Sequence, residues 1–151
     1  GQVNIISAGS DSIVLYITLG TVLAVKLIAG VCWAAAVIRK KSAEAKIFEQ
    51  HAKTLELKNE AFDSLVEAQK IQLKNILDSE AQSIAAKNFS HKDQETIERL
   101  KLSITTISEL IDKGAKILPM SQNEDIQKAF PDYSRLNLIE STIKQITEGQ
   151  K

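Results

Sequence analysis

The chain has 151 residues, of which 44% are hydrophobic and 25% charged, with 19 basic residues balanced by 19 acidic ones. That length fits one ordinary domain, and a formal charge of zero, with no face gathering Lys and Arg among aromatics, argues against nucleic-acid binding. The lone Cys32 excludes an internal disulfide and, in apolar surroundings, reads as packing rather than a reactive thiol.

Charge is unevenly placed. The first 38 residues hold only Asp11 and Lys26, whereas the rest carries 18 acids and 18 bases. Residues 2–7 and 12–18 are rich in Val, Ile and Tyr and are separated by Ala8-Gly9-Ser10-Asp11, a turn composition, so residues 1–18 read as a β-hairpin. Its second arm is apolar on both faces, as a covered strand would be. Because an isolated hairpin is marginal in water, it is expected to pair with further N-terminal residues or with neighbouring copies. The alternative is that residues 13–19 already begin the hydrophobic helix.

From Ile13 to Ile38 the chain runs 26 residues with one charge, Lys26, and then switches to Arg39-Lys40-Lys41. Residues 19–41 are long enough for a membrane-spanning helix. Ten Leu, Ile or Val residues between Ile17 and Ile38 contribute about −3 to −6 kcal/mol to insertion, against about +2.5 to +3.5 kcal/mol for a central Lys. Tyr16 and Trp33 are spaced to reach the two interfaces. Arg39, Lys40 and Lys41 would anchor the inner one and hold the C-terminal part on the cytoplasmic side. A signal peptide fits poorly, since a basic leading region is absent. The alternative is a helix buried in a cytoplasmic oligomer.

An intramembrane charge usually faces a bundle interior or a wet cavity, which makes Lys26 the best functional candidate. Gly20/Ala24 and Gly30/Ala34 have the small-xxx-small spacing that lets helices approach closely, and a ring packed through them would turn copies of Lys26 toward a shared axis.

Residues 42–88 are filled with Ala, Glu, Lys, Leu and Gln and predict one long amphipathic helix continuing from the apolar one. Steps of four and three from Phe48 pass through Ala52, Leu55, Asn59, Phe62, Val66, Gln69, Leu73, Ile76 and Glu80. Asn59, Gln69 and Glu80 interrupt that line, so it is no clean coiled-coil seam. Residues 90–151 read as C-terminal helices packing on the long one. A second helix starts near His91 after Ser90 and Asp93, and Ile97, Leu100, Ile104, Ile107 and Ile111 form its seam. Gly114 and Pro119 end it. Ser121 with Glu124 caps a short helical turn, and Pro131-Asp132 starts a last helix carrying Leu136, Ile139, Ile143 and Ile146. The fold class is therefore mainly α: an N-terminal β-hairpin, one hydrophobic transmembrane helix running into a long helix, and a helical C-terminal bundle.

No enzyme motif is present. His51 and His91 lack a second ligand at metal spacing, and there is no nucleophile elbow, phosphate loop or HExxH. Neither catalytic residues, a cofactor nor a metal is expected. The layout of a Gly-Ser turn, an apolar strand, a hydrophobic helix and a charged helix, with Leu110-Ile111-Asp112-Lys113-Gly114-Ala115 and Phe130-Pro131-Asp132 later on, resembles uncharacterised bacterial proteins. That resemblance implies no activity and carries over no functional residue.

Two functions follow from the residues. One is an oligomeric membrane-inserted helical protein, a channel or membrane-permeabilising effector with Lys26 in its path and the lipid bilayer as partner. The other is a soluble oligomeric structural or interaction module with the hydrophobic helix in its core. Either is expected to be a homo-oligomer, with an unidentified regulatory ligand or protein as a further partner.

Overall fold

The computed structural model describes residues 2–8, 13–18, 22–55, 59–90 and 93–143, with side chains from Ala24 onward. In chain order the elements are β1 (Gln2–Ala8), β2 (Ile13–Thr18), α1 (Val22–Thr54), α2 (Asn59–Asn88), α3 (Gln94–Asp112), β3 (Lys116–Pro119), α4 (Glu124–Ala129) and a 3₁₀ turn, Leu136–Leu138.

The helix boundaries follow from local chemistry. Asp93 caps α3, its carboxylate accepting from the Thr96 backbone N–H at 2.7 Å, which satisfies a donor the first turn would leave open. At the other end Gly114 takes φ 97°, a left-handed conformation that costs any residue with a Cβ. There Gly114 N–H donates to Ile111 C=O and Ala115 N–H to Leu110 C=O, at 2.9 and 3.0 Å, which is the Schellman closure. For α4 the cap is Asn123, which accepts from Asp125 and Ile126, while Ser121 is used one step earlier to accept from Asn123 N–H.

The seam expected on α3 faces inward. Ile97, Leu100, Ile104 and Ile111 are buried, Ile104 with none of its surface exposed, and they pack with residues 34–38 of α1 and with Ala81, Ile84 and Ala85 of α2. A second, smaller cluster joins Ala29 and Cys32 of α1 to Ile117 of β3 and Phe130.

The expected architecture is corrected on three points. First, among the described residues no helix is long and apolar enough to cross a membrane, so the hydrophobic transmembrane helix is not retained. Residues 34–38 are all buried; five successive buried positions exceed one helical turn, so α1 is covered on every side there by its own chain. The part of the apolar run from Ala29 to Ile38 belongs to the core of the fold.

Second, the long helix is not continuous. Its first part belongs to α1, which ends at Thr54, where Leu55 N–H closes on Ala52 C=O and the Thr54 hydroxyl on His51 C=O. The chain then returns as α2, antiparallel to α1, with Lys53 over the Phe62 ring near the bend and Gly30 against Ile84 far from it. No Gly or Pro marks this break, so composition alone runs the helix through it.

Third, the C-terminal part is not purely helical. The backbones of β1 and β2 pair antiparallel, with an irregularity between Ile5 and Ser7, and β3 joins β2 in parallel with Val14 opposite Lys116, giving the order β1-β2-β3. The strand partner expected from missing residues or other copies is thus supplied by residues 116–119 of the same chain. The turn expected at residues 8–11 lies mostly outside the described residues, and so do the side chains of both N-terminal strands. In place of a last helix from Pro131, Asp132 holds a turn by accepting from Ser134 N–H and Oγ. Among the described residues the 3₁₀ turn follows and residues 142–143 are helical again, while Ile146 lies outside the described residues.

Candidate functional site

Two concavities flank one buried acid. Glu80 projects from α2 with 3% of its surface exposed, and its Oε1 accepts a 2.6 Å hydrogen bond from Ser141 Oγ. Burial raises its pKa above the ordinary carboxylate value, partly offset by the Ser141 bond and the charge of Lys87.

On one side lies a cleft of about 560 Å³ between α1, α2 and α4. Lys26, Lys87 and Lys128 reach it from three different helices; Ser83, Asn88 and Thr142 add polar atoms, and Trp33, Gly30, Ala29, Ile84 and Ala129 form apolar wall. Trp33 Nε1–H donates to Glu140 C=O at 2.8 Å, which fixes the ring. Asn88 Nδ2 is likewise held by Ile84 C=O. Among the described residues none of the three lysines forms an ion pair.

On the other side is an apolar groove of about 700 Å³. Val37, Ala68, Ile71, Ile76, Ile139 and Ile143 line it, with Lys40 and Lys41 at its rim. Lys40 Nζ donates to Ile139 C=O at 2.9 Å, tying the C-terminal segment to α1. Its volume and mainly apolar lining are those of ligand or partner sites.

The residues singled out from sequence fall in several places. Lys26 is exposed and lines the basic cleft. Gly30 and Ala34 lie on the face of α1 that meets α2, where a Cβ at Gly30 would stand 3.8 Å from Ile84, an ordinary contact. Ala24 is half-buried, and Gly20 is outside the described residues. Tyr16 belongs to β2, opposite Asn4 and Leu118 in register. The residues assigned to a membrane interface have partners within the chain: Trp33 with Glu140, Arg39 with Asp112 at 3.4 Å, Lys40 with Ile139, and Lys41 with Glu44 at 3.6 Å. Asp112, the last residue of α3, thus turns to α1.

Cys32 is fully buried, which pushes its thiol up to about 12. Tyr133 beside it is also raised, mainly by burial, while its hydroxyl donates to Ile117 C=O at 2.7 Å. Neither is poised for nucleophilic chemistry. Among the described residues no group of three or more His, Cys, Asp or Glu is arranged to hold a metal ion.

Lys87, Lys128 and Ser141 carried no sequence signal. Glu80 did: it interrupts the apolar line from Phe48 at a position the helix period turns inward. Comparison with protein-family models, curated proteins and solved structures finds no significant match.

Proposed function

We propose that this chain is an oligomeric structural or interaction module, in which the apolar helix is the internal core and a two-helix arm is the contact surface for a second copy. The carrying observation is the distribution of burial along α1 and α2. Between Arg39 and Ser79, Ala52 is the one buried side chain among the described residues. Along the same stretch Ile47, Leu55 and Ile71 are 67%, 59% and 51% exposed, and Phe48 is partly exposed.

Charge and shape both favour a second copy as the occupant. The start of α2 is acidic, with Glu60, Asp63 and Glu67 and no base in residues 59–67, whereas the root of the arm holds Arg39, Lys40 and Lys41. A two-fold antiparallel pairing sets the acidic start of α2 in one copy against the basic root of the arm in the other. It also brings Leu55, beside the tip, toward the groove at the root that Ile71 lines. The same patch then serves both partners, as an isologous interface requires.

Light scattering on size-exclusion fractions without detergent tests this. The expected result is a discrete multiple of the 16.6 kDa chain mass that Leu55→Glu and Ile71→Glu each shift toward monomer with helical circular dichroism unchanged. A monomeric wild-type chain, or an assembly indifferent to both substitutions, would overturn it.

A further inference from the structure

We infer that the cleft bounded by Lys26, Lys87 and Lys128 is a binding site for a small organic phosphate, a phosphomonoester on a ring-bearing body. This stands on observations separate from the arm and does not require self-association.

Three cationic side chains from α1, α2 and α4 converge on one concavity without an ion-pair partner among the described residues. Among the described residues four other bases form ion pairs: Arg39 with Asp112, Lys41 with Glu44, Arg99 with Glu95, and Lys101 with Asp78 and Glu98. The one acid lining the cleft among the described residues, Glu80, is turned to Ser141 at 2.6 Å, and burial raises its pKa. Among the described residues the cleft thus gathers three cations against one acid.

A phosphomonoester matches it in charge and in number of acceptors. It carries about −1.5 to −2 charges at neutral pH and three acceptor oxygens, one for each ammonium, and lysine binds phosphate as a point charge. Ser83 and Thr142 supply hydroxyl donors at the same wall. The volume of about 560 Å³ leaves room beyond a phosphate group, and Trp33, Ala29, Gly30 and Ala129 make the remainder apolar. With its indole N–H already committed to Glu140, Trp33 offers ring surface rather than a polar contact. A ligand with a charged head and a flat apolar body uses both halves.

Trp33 is the only tryptophan of the chain, so its fluorescence reports on this cleft and on the neighbouring hollow lined by Gln127, Phe130 and Pro131, and the lysine variants below assign the signal to the cleft. The test titrates phenyl phosphate, inorganic phosphate and benzoate into the full chain at constant chloride, following Trp33 emission and heat. Phenyl phosphate is expected to saturate, more tightly than inorganic phosphate, which lacks the body, and than benzoate, which carries one charge. Lys26→Gln, Lys87→Gln and Lys128→Gln should each weaken phenyl phosphate about tenfold or more, the scale of one lost hydrogen bond to a charged group. Lys70→Gln, on α2 outside the cleft, should leave it unchanged. The inference is overturned by an absence of saturation, by benzoate binding as tightly, or by Lys70→Gln weakening binding as much as the cleft variants do.

Discussion

The same two helices lead different lives at their two ends. Near Ala34 and Ala81, α1 and α2 lie under α3, and small residues let the three approach so closely that Ala35, Ala81, Ala85 and Ile104 lose all contact with solvent. Past Lys41 and before Leu73, Ala52 is the one buried side chain among the described residues, with Phe62, Leu65 and Val66 half-buried. Helix-forming composition is good in both regions. What separates them is the presence of a third layer, because two helices bury one narrow stripe each, while a third closes the remaining faces.

The contrast is most sharply broken by truncating one isoleucine in each region. Ile104→Ala removes a fully buried side chain and should lower unfolding free energy by about 2–5 kcal/mol. Ile71→Ala, at an exposed site, should change it by less than about 0.5 kcal/mol in the monomer. Urea denaturation followed by circular dichroism compares the two, and equal losses would mean the arm is as tightly built as the core.

Glu80 stands at the border, and its titration gives the next effect. Its folded pKa lies above the ordinary 4.5, so between 4.5 and the raised value the folded state holds more proton than the unfolded one. Stability from this group is therefore present at low pH and falls as pH rises through that window. Glu80→Gln keeps an acceptor for Ser141 and removes the charge, and should flatten that fall. Asp78, two residues earlier, acts in the opposite direction: Lys101 at 2.8 Å lowers its pKa, and its contribution is lost only as pH drops below 3.8. Thermal midpoints measured from pH 4 to 8 for both proteins separate the two; a parallel profile in the variant would remove Glu80 as the cause.

The smallest effect belongs to the tip of the arm. Lys53 stands 5.9 Å from the centre of the Phe62 ring, and at an exposed site such a pair contributes about 0.5–1 kcal/mol. Lys53→Ala should speed hydrogen exchange of amides at the end of α1 and leave those of α3 unchanged. Equal acceleration in α3 would show that arm and core open together.

Much of this was legible in the residues where burial follows a strict period. The isoleucines of α3 recur at threes and fours and all turn inward, and the Ser and Asp before it mark its start to within a turn. The apolar run was equally visible, but not its surroundings: whether lipid or protein covers residues 22–38 depends on helices more than forty positions away. The bend after Thr54 left no mark because its residues are ordinary helix formers, and β3 is too short, at four residues, to show alternation. In the cleft, Lys26 stood out through its apolar neighbours, whereas Lys87 and Lys128 are single lysines in polar sequence that only the packing of α2 and α4 brings beside it.

The parallel pairing of β2 with β3 also sets an order of events during synthesis. Val14 meets Lys116, so the sheet cannot close until about 100 further residues have left the ribosome, roughly 5–20 s at about 5–20 residues per second. Over that interval the most apolar helix of the protein is already made, while α3, which covers it, is not. Closing so long a loop is slow and leaves hydrophobic surface open meanwhile. The newborn chain therefore has a stretch of seconds in which its own core is its main hazard, and a chaperone that holds residues 22–38 would act there and nowhere later.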